Sequence, residues 1–458
     1  MHVLFIYPSI GIGTNVCHAI TSLGGMLKAH GHKTDLFVLT NSKNINITDE
    51  TPGALISAVK KVNPDLVAIS LTSPQKKYTE EIIKFLKSRF KFPIVVGGVC
   101  PTLFPSFIEE TPELDGLCRG AGEWPLLDYV TALEKGTDYT GIKNWWFRHD
   151  GKIFKNPMRE NNIPLDEYPF PDFEIFPREH YAAYPNLFFA RGCPFPCANC
   201  CNHALKKIND TTGSTYVKFK SVNRAMEEIK LFIKTINPTW LAFDDDSFVK
   251  NKKWLNEFCQ IYPTVTNLPF HCNAFPSSVD LDLCKMLKKA GCRLLCIGIE
   301  AGDETVRMQI LKRPLRDQHI IDAFRYAKEA GLSTHAFNMI GLPGETAKAF
   351  KRTVKLNKMV LPDSFQLSVF FPYEGTDLYS LVEEKKLMSN RHTSSYFSGE
   401  SVLNLPGFSR RQIKWQFFWF GFNVYRRSNL KKALIYLKSN IKVYFPKVHS
   451  TYMRLRYG

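Results

Sequence analysis

Short, wholly apolar runs alternate with helix-length amphipathic segments along most of this chain, and that alternation narrows the fold more than any other feature. In the N-terminal third, 3–7, 35–39, 66–71, 94–96 and 114–118 read as strands, separated by helical patterns at 17–30, 52–62, 78–89 and 125–133. Strands that are apolar on both faces need helices on both sides, so this third reads as a parallel, Rossmann-like (flavodoxin-like) α/β sheet. The pattern resumes at 187–190, 240–243, 270–274, 294–299, 334–340 and 365–371, with helices at 222–234, 253–262, 280–290, 317–330 and 348–359. Six βα units are too few for a closed eightfold barrel but enough for a partial (β/α)6 TIM-type barrel. Ser221 is an N-cap for the first of these helices, and Gly291 and Gly331 stand where left-handed C-caps belong.

Four segments follow: a sheet domain at 1–140, a connector at 141–184, the partial barrel at 185–388 and a helical C-terminal extension at 389–458. The connector is rich in Pro and aromatics without a period (Trp145, Trp146, Phe147, Phe170), and its aromatics read as core. Ligands on both kinds of sheet collect at the carboxyl ends of strands. In the first domain those ends are 8–15, 72–74, 97–101 and 120–123, where Gly97, Gly98 and Gly120 would let a large ligand approach the backbone.

At the end of the first barrel strand stands Arg191-Gly-Cys-Pro-Phe-Pro-Cys-Ala-Asn-Cys-Cys-Asn-His203, with Cys193, Cys197 and Cys200 spaced C-x3-C-x2-C. Thiolates bunched on one loop can hold three irons of a [4Fe-4S] cluster and leave the fourth open. Structural zinc with Cys201 or His203 as fourth ligand is the competing reading, and unliganded thiols a third. Asp244, Asp245 and Asp246 follow the second barrel strand; three adjacent carboxylates repel, which implies a cationic partner or a solvated turn.

The triplet resembles the cluster loop of the radical S-adenosylmethionine (SAM) superfamily. Ile69-Ser-Leu-Thr72, Val96-Gly-Gly98 and Arg119-Gly-Ala-Gly-Glu123 resemble the cobalamin (B12)-binding domain that precedes the radical domain in one branch. The resemblance implies a [4Fe-4S] cluster on Cys193, Cys197 and Cys200. It implies S-adenosyl-L-methionine held by Phe195, Asn199, Asp244, Asp245, Glu300, Ile340 and Gly341, and cobalamin held by Pro8, Ser70, Thr72, Gly97, Gly98, Gly120 and Glu123. Within it, Glu300 in Gly298-Ile-Glu-Ala-Gly302 meets ribose hydroxyls, Gly341-Leu-Pro-Gly-Glu-Thr346 forms the adenine-side turn, Lys312 resembles a basic position, and 371–376 borders the substrate. The family's cobalt-ligating D-x-H-x-x-G is absent after the first strand, and His18 and His32 read as ordinary helix and turn residues. The implied activity is methyl transfer to an unactivated carbon: the reduced cluster cleaves the sulfonium, a 5′-deoxyadenosyl radical abstracts hydrogen, and methylcobalamin delivers the methyl group. A cyclase or rearrangement enzyme with the same cofactors is the alternative. From a different class, a non-catalytic zinc or cobalamin module with a nucleic-acid- or membrane-contacting tail also fits.

The 12 cysteines are scattered, and 1–8 lacks a basic n-region and cleavage site, so a reducing cytoplasm is expected; the resemblance implies a flavodoxin or ferredoxin as electron donor. The net charge of +17 is uneven. Residues 401–458 hold 12 Lys/Arg and no Asp or Glu, which leaves 48 basic against 43 acidic residues before them. In this tail, 412–425 and 430–444 read as aromatic-rich basic helices. They fit a helical cap on the barrel or peripheral contact with the inner face of an anionic membrane; RNA is less favoured, since no nucleic-acid fold is recognised.

Overall fold

A computed structural model of the chain describes residues 1–9, 16–39, 51–246, 248–391, 393 and 395–444. The chain divides into two compact units, Met1–Cys272 with Tyr373–Ser380, and Asn273–Pro372 with Leu381–Gly458.

The first unit opens with β1 (His2–Pro8), α1 (His18–Ala29), β2 (Lys33–Leu39), α2 (Thr51–Val62), β3 (Leu66–Ser70), α3 (Lys76–Lys87) and β4 (Ile94–Gly97). Two short helices, α4 (Val99–Leu103) and α5 (Phe107–Glu110), precede β5 (Gly116–Cys118) and α6 (Glu123–Lys135). These five strands pair in parallel in the order β2-β1-β3-β4-β5, and Leu4, Ile6, Val67, Ile69, Ile94 and Val96 form the core beneath them. The sheet does not stop there. Strands β6 (Trp145–His149) and β7 (Lys152–Lys155) add antiparallel to β5 from the segment read as an aperiodic connector. Trp145 and Phe147 are fully buried on one face and Trp146 is half-buried against the core on the other, an alternation too short to stand out among the surrounding charges.

After α7 (Arg178–Ala183) the barrel series begins with β8 (Asn186–Leu187), and β9 (Ala190–Arg191) pairs antiparallel with β10 (Lys218–Phe219) across α8 (Cys201–Asp210). The single run expected at 187–190 is broken for a specific reason. The Asp245 carboxylate accepts the N–H groups of Phe189 (2.7 Å) and Ala190, which would otherwise continue the ladder. Helix α9 (Val222–Ile236), β11 (Leu241–Phe243), α10 (Lys252–Val265) and β12 (Phe270–Ala274) follow, with β11 parallel to β8 and β12. In the second unit β13 (Cys292–Glu300), β14 (Ser333–Ile340) and β15 (Ser364–Val369) run parallel with β14 central. They alternate with α11 (Leu281–Lys289), α12 (Asp317–Glu329) and α13 (Ala347–Val360).

The helices start where their caps stand. The side chains of Ser221, Asn251, Asp280 and Thr346 accept the N–H groups of Arg224, Trp254, Leu283 and Ala349 at 2.8–3.1 Å. Gly291 and Gly331 end α11 and α12 with φ of +106° and +74°. Beyond α14 (Asp377–Glu384), α15 (Arg410–Tyr425) and α16 (Leu430–Tyr444) pack as a helical pair. They approach closely at Gly421, where a Cβ would lie 2.8 Å from Tyr436.

Candidate functional site

The carboxyl ends of β3, β4 and β5 open into a cavity of about 630 Å³ within the first unit, a volume in the range of small-molecule pockets. Ser70, Gly97, Gly98, Gly120 and Glu123 line it; Pro8 and Thr72 do not. Pro8 is buried at the end of β1, and 10–15 of the loop read with it lie outside the described residues. Thr72 precedes the 3-10 turn Ser73–Gln75 instead of facing the cavity. Gly98 holds φ +116°, and a Cβ there would lie 2.9 Å from the Leu71 carbonyl oxygen, so this tip requires glycine. Thr102, on α4, stitches the tips together: its hydroxyl donates to the Gly98 carbonyl (2.7 Å) and accepts the Gly120 N–H (2.9 Å). His18, set aside in the sequence as a helix residue, is the first residue of α1 and forms part of the wall. Its ring stands edge-on to Phe188 at 4.6 Å, and burial lowers its pKa to about 4, so it is neutral.

The opposite wall is the start of the barrel series: Arg191, Gly192, Cys201, Asn202, Tyr216 and Asp246. Gly192 holds φ +82° against Tyr216, whose carbonyl oxygen would lie 2.4 Å from a Cβ. The Tyr216 hydroxyl in turn donates to Asn202 (2.6 Å). Arg191 donates to Glu123, joining the two walls by an ion pair. Lys220, also in the wall, pairs with buried Glu228 at 2.5 Å.

Cys193, Cys197 and Cys200 lie on the loop from Gly192 to α8. Cys197 is buried and the other two half-buried. Burial, with smaller contributions from the charges of Asp246, Cys200 and Cys197, pushes the Cys193 thiol up to about 12. The three sulfurs therefore feel one another and a carboxylate in a desolvated place, where a thiolate persists only beside positive charge. That is the donor chemistry of an iron–sulfur loop, and the residues fit such a group. Among the described residues, however, no three His, Cys, Asp or Glu side chains are arranged for a metal ion. Cys193 Sγ donates to the Asp246 carbonyl oxygen (3.7 Å), and Cys200 pairs with Cys201. His203 faces Asp377 at 3.7 Å.

The acidic run splits into three environments. Asp244 accepts the Tyr184 hydroxyl (2.9 Å) and faces His271 (3.8 Å). Asp245 is buried against the Phe189 and Ala190 amides, and burial raises it to about 7. Asp246 reaches the cavity wall. Phe195, with Lys250 over its ring at 5.3 Å, and Asn199 stay on the loop, outside the cavity lining. In the second unit Glu300 ends β13 with φ +62°, next to a bulge in the pairing with β14. Its carboxylate lies 3.8 Å from buried Arg313, which also donates to the Gly298 carbonyl (3.0 Å) and stacks over Phe275. Ile340 is fully buried, and the Gly341 N–H donates to Glu345 (2.7 Å) within the turn that follows.

The profile of the radical SAM superfamily matches residues 187–356, and that of the B12 binding domain matches residues 18–130. The chain carries a radical SAM domain behind a B12-binding domain. It is 27% identical, over 80% of its length and 79% of the relative's, to an uncharacterized methyltransferase of Pyrococcus horikoshii. An anaerobic magnesium-protoporphyrin IX monomethyl ester cyclase of Rubrivivax gelatinosus is 25% identical over 84% of this chain and 70% of its own. Among solved structures the fold resembles the radical SAM methyltransferase TsrM of Kitasatospora setae with cobalamin and a [4Fe-4S] cluster bound. That match has a TM-score of 0.68 at 16% identity and covers 91% of this chain and 85% of that one.

For a radical SAM enzyme the residues missed in the sequence are supporting ones. Thr102 gives no motif, being one threonine among many. Arg313 sits beside Lys312, the basic position the sequence points to, yet Lys312 is exposed and Arg313 is the one turned to Glu300. Fully buried Arg307, in the π-turn Val306–Ile310, donates to the carbonyls of Ala301 (2.6 Å) and Leu315 (2.9 Å) and pairs with Asp317, fixing the loop after Glu300. The segment after β15, read as bordering substrate, brings Gly375 against Leu103, and the Leu378 N–H donates to the Ala198 carbonyl (3.1 Å).

Proposed function

We propose that this radical SAM enzyme is a cobalamin-dependent C-methyltransferase acting on a small, predominantly apolar substrate. The observation that carries the reading is the shared cavity: the glycine tips of the B12-type sheet and the residues flanking the cysteine loop face one space. When bound, the [4Fe-4S] cluster supplies an electron to SAM and cobalamin supplies the methyl group; the protein's part is binding, orientation and exclusion of water. Cys193, Cys197 and Cys200 would hold the cluster. Asp244 and Glu300, partly desolvated acceptors at strand ends, would take the amino and ribose hydroxyl groups of SAM. Gly98 and Gly120 offer backbone without side chains to the corrin, and Ile20, Leu23, Ile69 and Val96 keep the wall dry. A flavodoxin or ferredoxin is the fitting electron donor.

The likeness to the cyclase over most of both chains favours one second reading, ring formation with the same cofactors and no methyl transfer. Anaerobic reconstitution with iron, sulfide and cobalamin, followed by assays for 5′-deoxyadenosine and for methylated product, separates the readings. Deoxyadenosine with a product heavier by a methyl group supports the methyltransferase, and deoxyadenosine without one supports the cyclase. Cys197→Ala should abolish deoxyadenosine and cluster iron, whereas Cys201→Ala should retain the iron. A colourless protein that cleaves no SAM sinks both readings.

A further inference from the structure

Helices α15 and α16 carry much of the chain's basic excess on a surface whose apolar residues are not all covered. Their inner sides are packed: Ile413, Phe420, Val424 and Tyr425 are buried, and Tyr425 stacks on Tyr436 at 5.5 Å. The Tyr425 hydroxyl and Lys432 tie the pair to the Pro362 carbonyl at 2.7 and 3.3 Å. Their outer sides are different. Trp415 (64% exposed), Leu430 (57%), Leu434 (50%) and Ile435 (60%) are among the most exposed large apolar side chains described. On α15, Arg411, Trp415, Trp419, Phe422 and Arg426 follow at steps of three and four, an aromatic stripe closed by an arginine at each end; Trp415 and Trp419 touch at 5.5 Å. On α16, Lys431, Lys438 and Lys442 are exposed around Ile435.

At the start of α15 a second cavity, about 480 Å³, is lined by Arg391, Ser409, Arg410, Arg411, Lys414 and Glu400. Glu400 meets Lys414 directly and Arg391 at 3.9 Å, one carboxylate among four cations. The excess is positive, and 401–458 contain no acidic residue to offset it. Soluble surfaces usually intersperse both signs and avoid clustered exposed Trp and Ile. Basic side chains flanking aromatic and aliphatic ones on a helix match the boundary of an anionic bilayer: phosphates meet the cations and the acyl edge takes the apolar stripe.

We propose that α15 and α16 form a docking surface for a bilayer containing anionic phospholipid, with the Arg391–Lys414 cavity receiving a headgroup phosphate. No described helix is long and apolar enough to cross a membrane, so the contact is peripheral. It is independent of the chemistry proposed for the first unit, since none of these residues lines that cavity.

The test is flotation of the full-length, anaerobically purified protein with vesicles of phosphatidylcholine alone or mixed with phosphatidylglycerol, at low and high salt. Binding should appear only with the anionic lipid and weaken with salt. Arg410→Ser/Arg411→Ser should lower partitioning about thirtyfold, at about a factor of five per basic residue near the surface. Trp415→Glu/Ile435→Glu should abolish it, with the far-ultraviolet spectrum and melting unchanged. Lys60→Ser/Lys61→Ser removes the same charge from exposed positions on α2 and should leave binding intact. The proposal fails if no vesicle binds, if neutral vesicles bind equally, or if the α2 variant loses as much as the α15 variant. It also fails if single-stranded RNA binds more tightly than vesicles through the same residues, which would make this a polynucleotide surface.

Discussion

Glu123 and Arg191 stand 68 positions apart and meet as an ion pair between the start of α6 and the residue two before Cys193. Burial alone would push the Glu123 carboxyl up, but the adjacent guanidinium outweighs it and holds the carboxyl below its ordinary value. Arg191 also lies over the Tyr168 ring at 5.1 Å. The pair fastens the cysteine loop to the tip of the B12-type sheet, so Glu123 acts here as a strut as well as a wall.

Removing one partner should therefore cost more than removing both. Glu123→Gln is expected to lower stability by about 1–3 kcal/mol, toward the lower end because Arg191 is partly exposed to water. Glu123→Gln/Arg191→Gln should recover part of that loss, with a coupling of about 1 kcal/mol in a double-mutant cycle by denaturant titration. Strict additivity would mean that the pair contributes nothing.

The two neighbouring glycines at the end of β4 should behave oppositely. Gly98→Ala forces a Cβ into the Leu71 carbonyl at a φ of +116°, and a loss of about 2–3 kcal/mol is expected together with weakened cobalamin uptake. At Gly97 the nearest atom to a new Cβ is 3.8 Å away, on Cys118, and Gly97→Ala should stay within about 1 kcal/mol. Spectroscopic titration of the variants with cobalamin, alongside melting, reads both effects. Equal losses at the two positions would show that the tip does not need a glycine.

The contrast also shows what a sequence can carry. The βα alternation, the caps at Ser221, Gly291 and Gly331, and the cysteine loop were legible because each is a local rule of period, capping or spacing. The β6–β7 hairpin was not, because Trp145 and Phe147 alternate for only one strand amid charge. Asp245 was not either: adjacent identical carboxylates look alike until one is buried under the Phe189 and Ala190 amides and another turned to Tyr184. Thr102, Arg307 and Arg313 act through contacts fixed by tertiary placement, and no spacing announces them.

Arg313 and Lys312 give a direct test of that last point. Arg313→Gln removes the cation 3.8 Å from the half-buried Glu300 carboxylate, which desolvation already pushes toward its neutral form, with the Arg313 charge opposing. If Glu300 accepts the ribose hydroxyls, SAM affinity should fall by roughly tenfold, about 1.4 kcal/mol, in equilibrium binding to the reconstituted protein. Lys312→Gln, at an exposed position, should leave it unchanged. A loss confined to the Lys312 variant would reverse the assignment.

Two buried acids set an expectation for pH. Burial is the largest cause in both: it raises Asp245 to about 7 and Glu345 to about 8, partly offset by backbone N–H groups that favour the charged form. The folded protein thus keeps protons that the unfolded chain, with ordinary carboxyl values, releases near pH 4 to 4.5. Stability from these two groups is full below that point and is lost as pH rises toward 7 and 8. The melting temperature should accordingly fall between pH 6 and 8.5. In Glu345→Gln the fall should be shallower, because the amide oxygen can still accept the Gly341 and Leu342 N–H groups and carries no proton to lose. Asp245→Asn should flatten the lower part of the same window. Parallel curves for wild type and Glu345→Gln would mean that this carboxyl is already ionised in the folded protein.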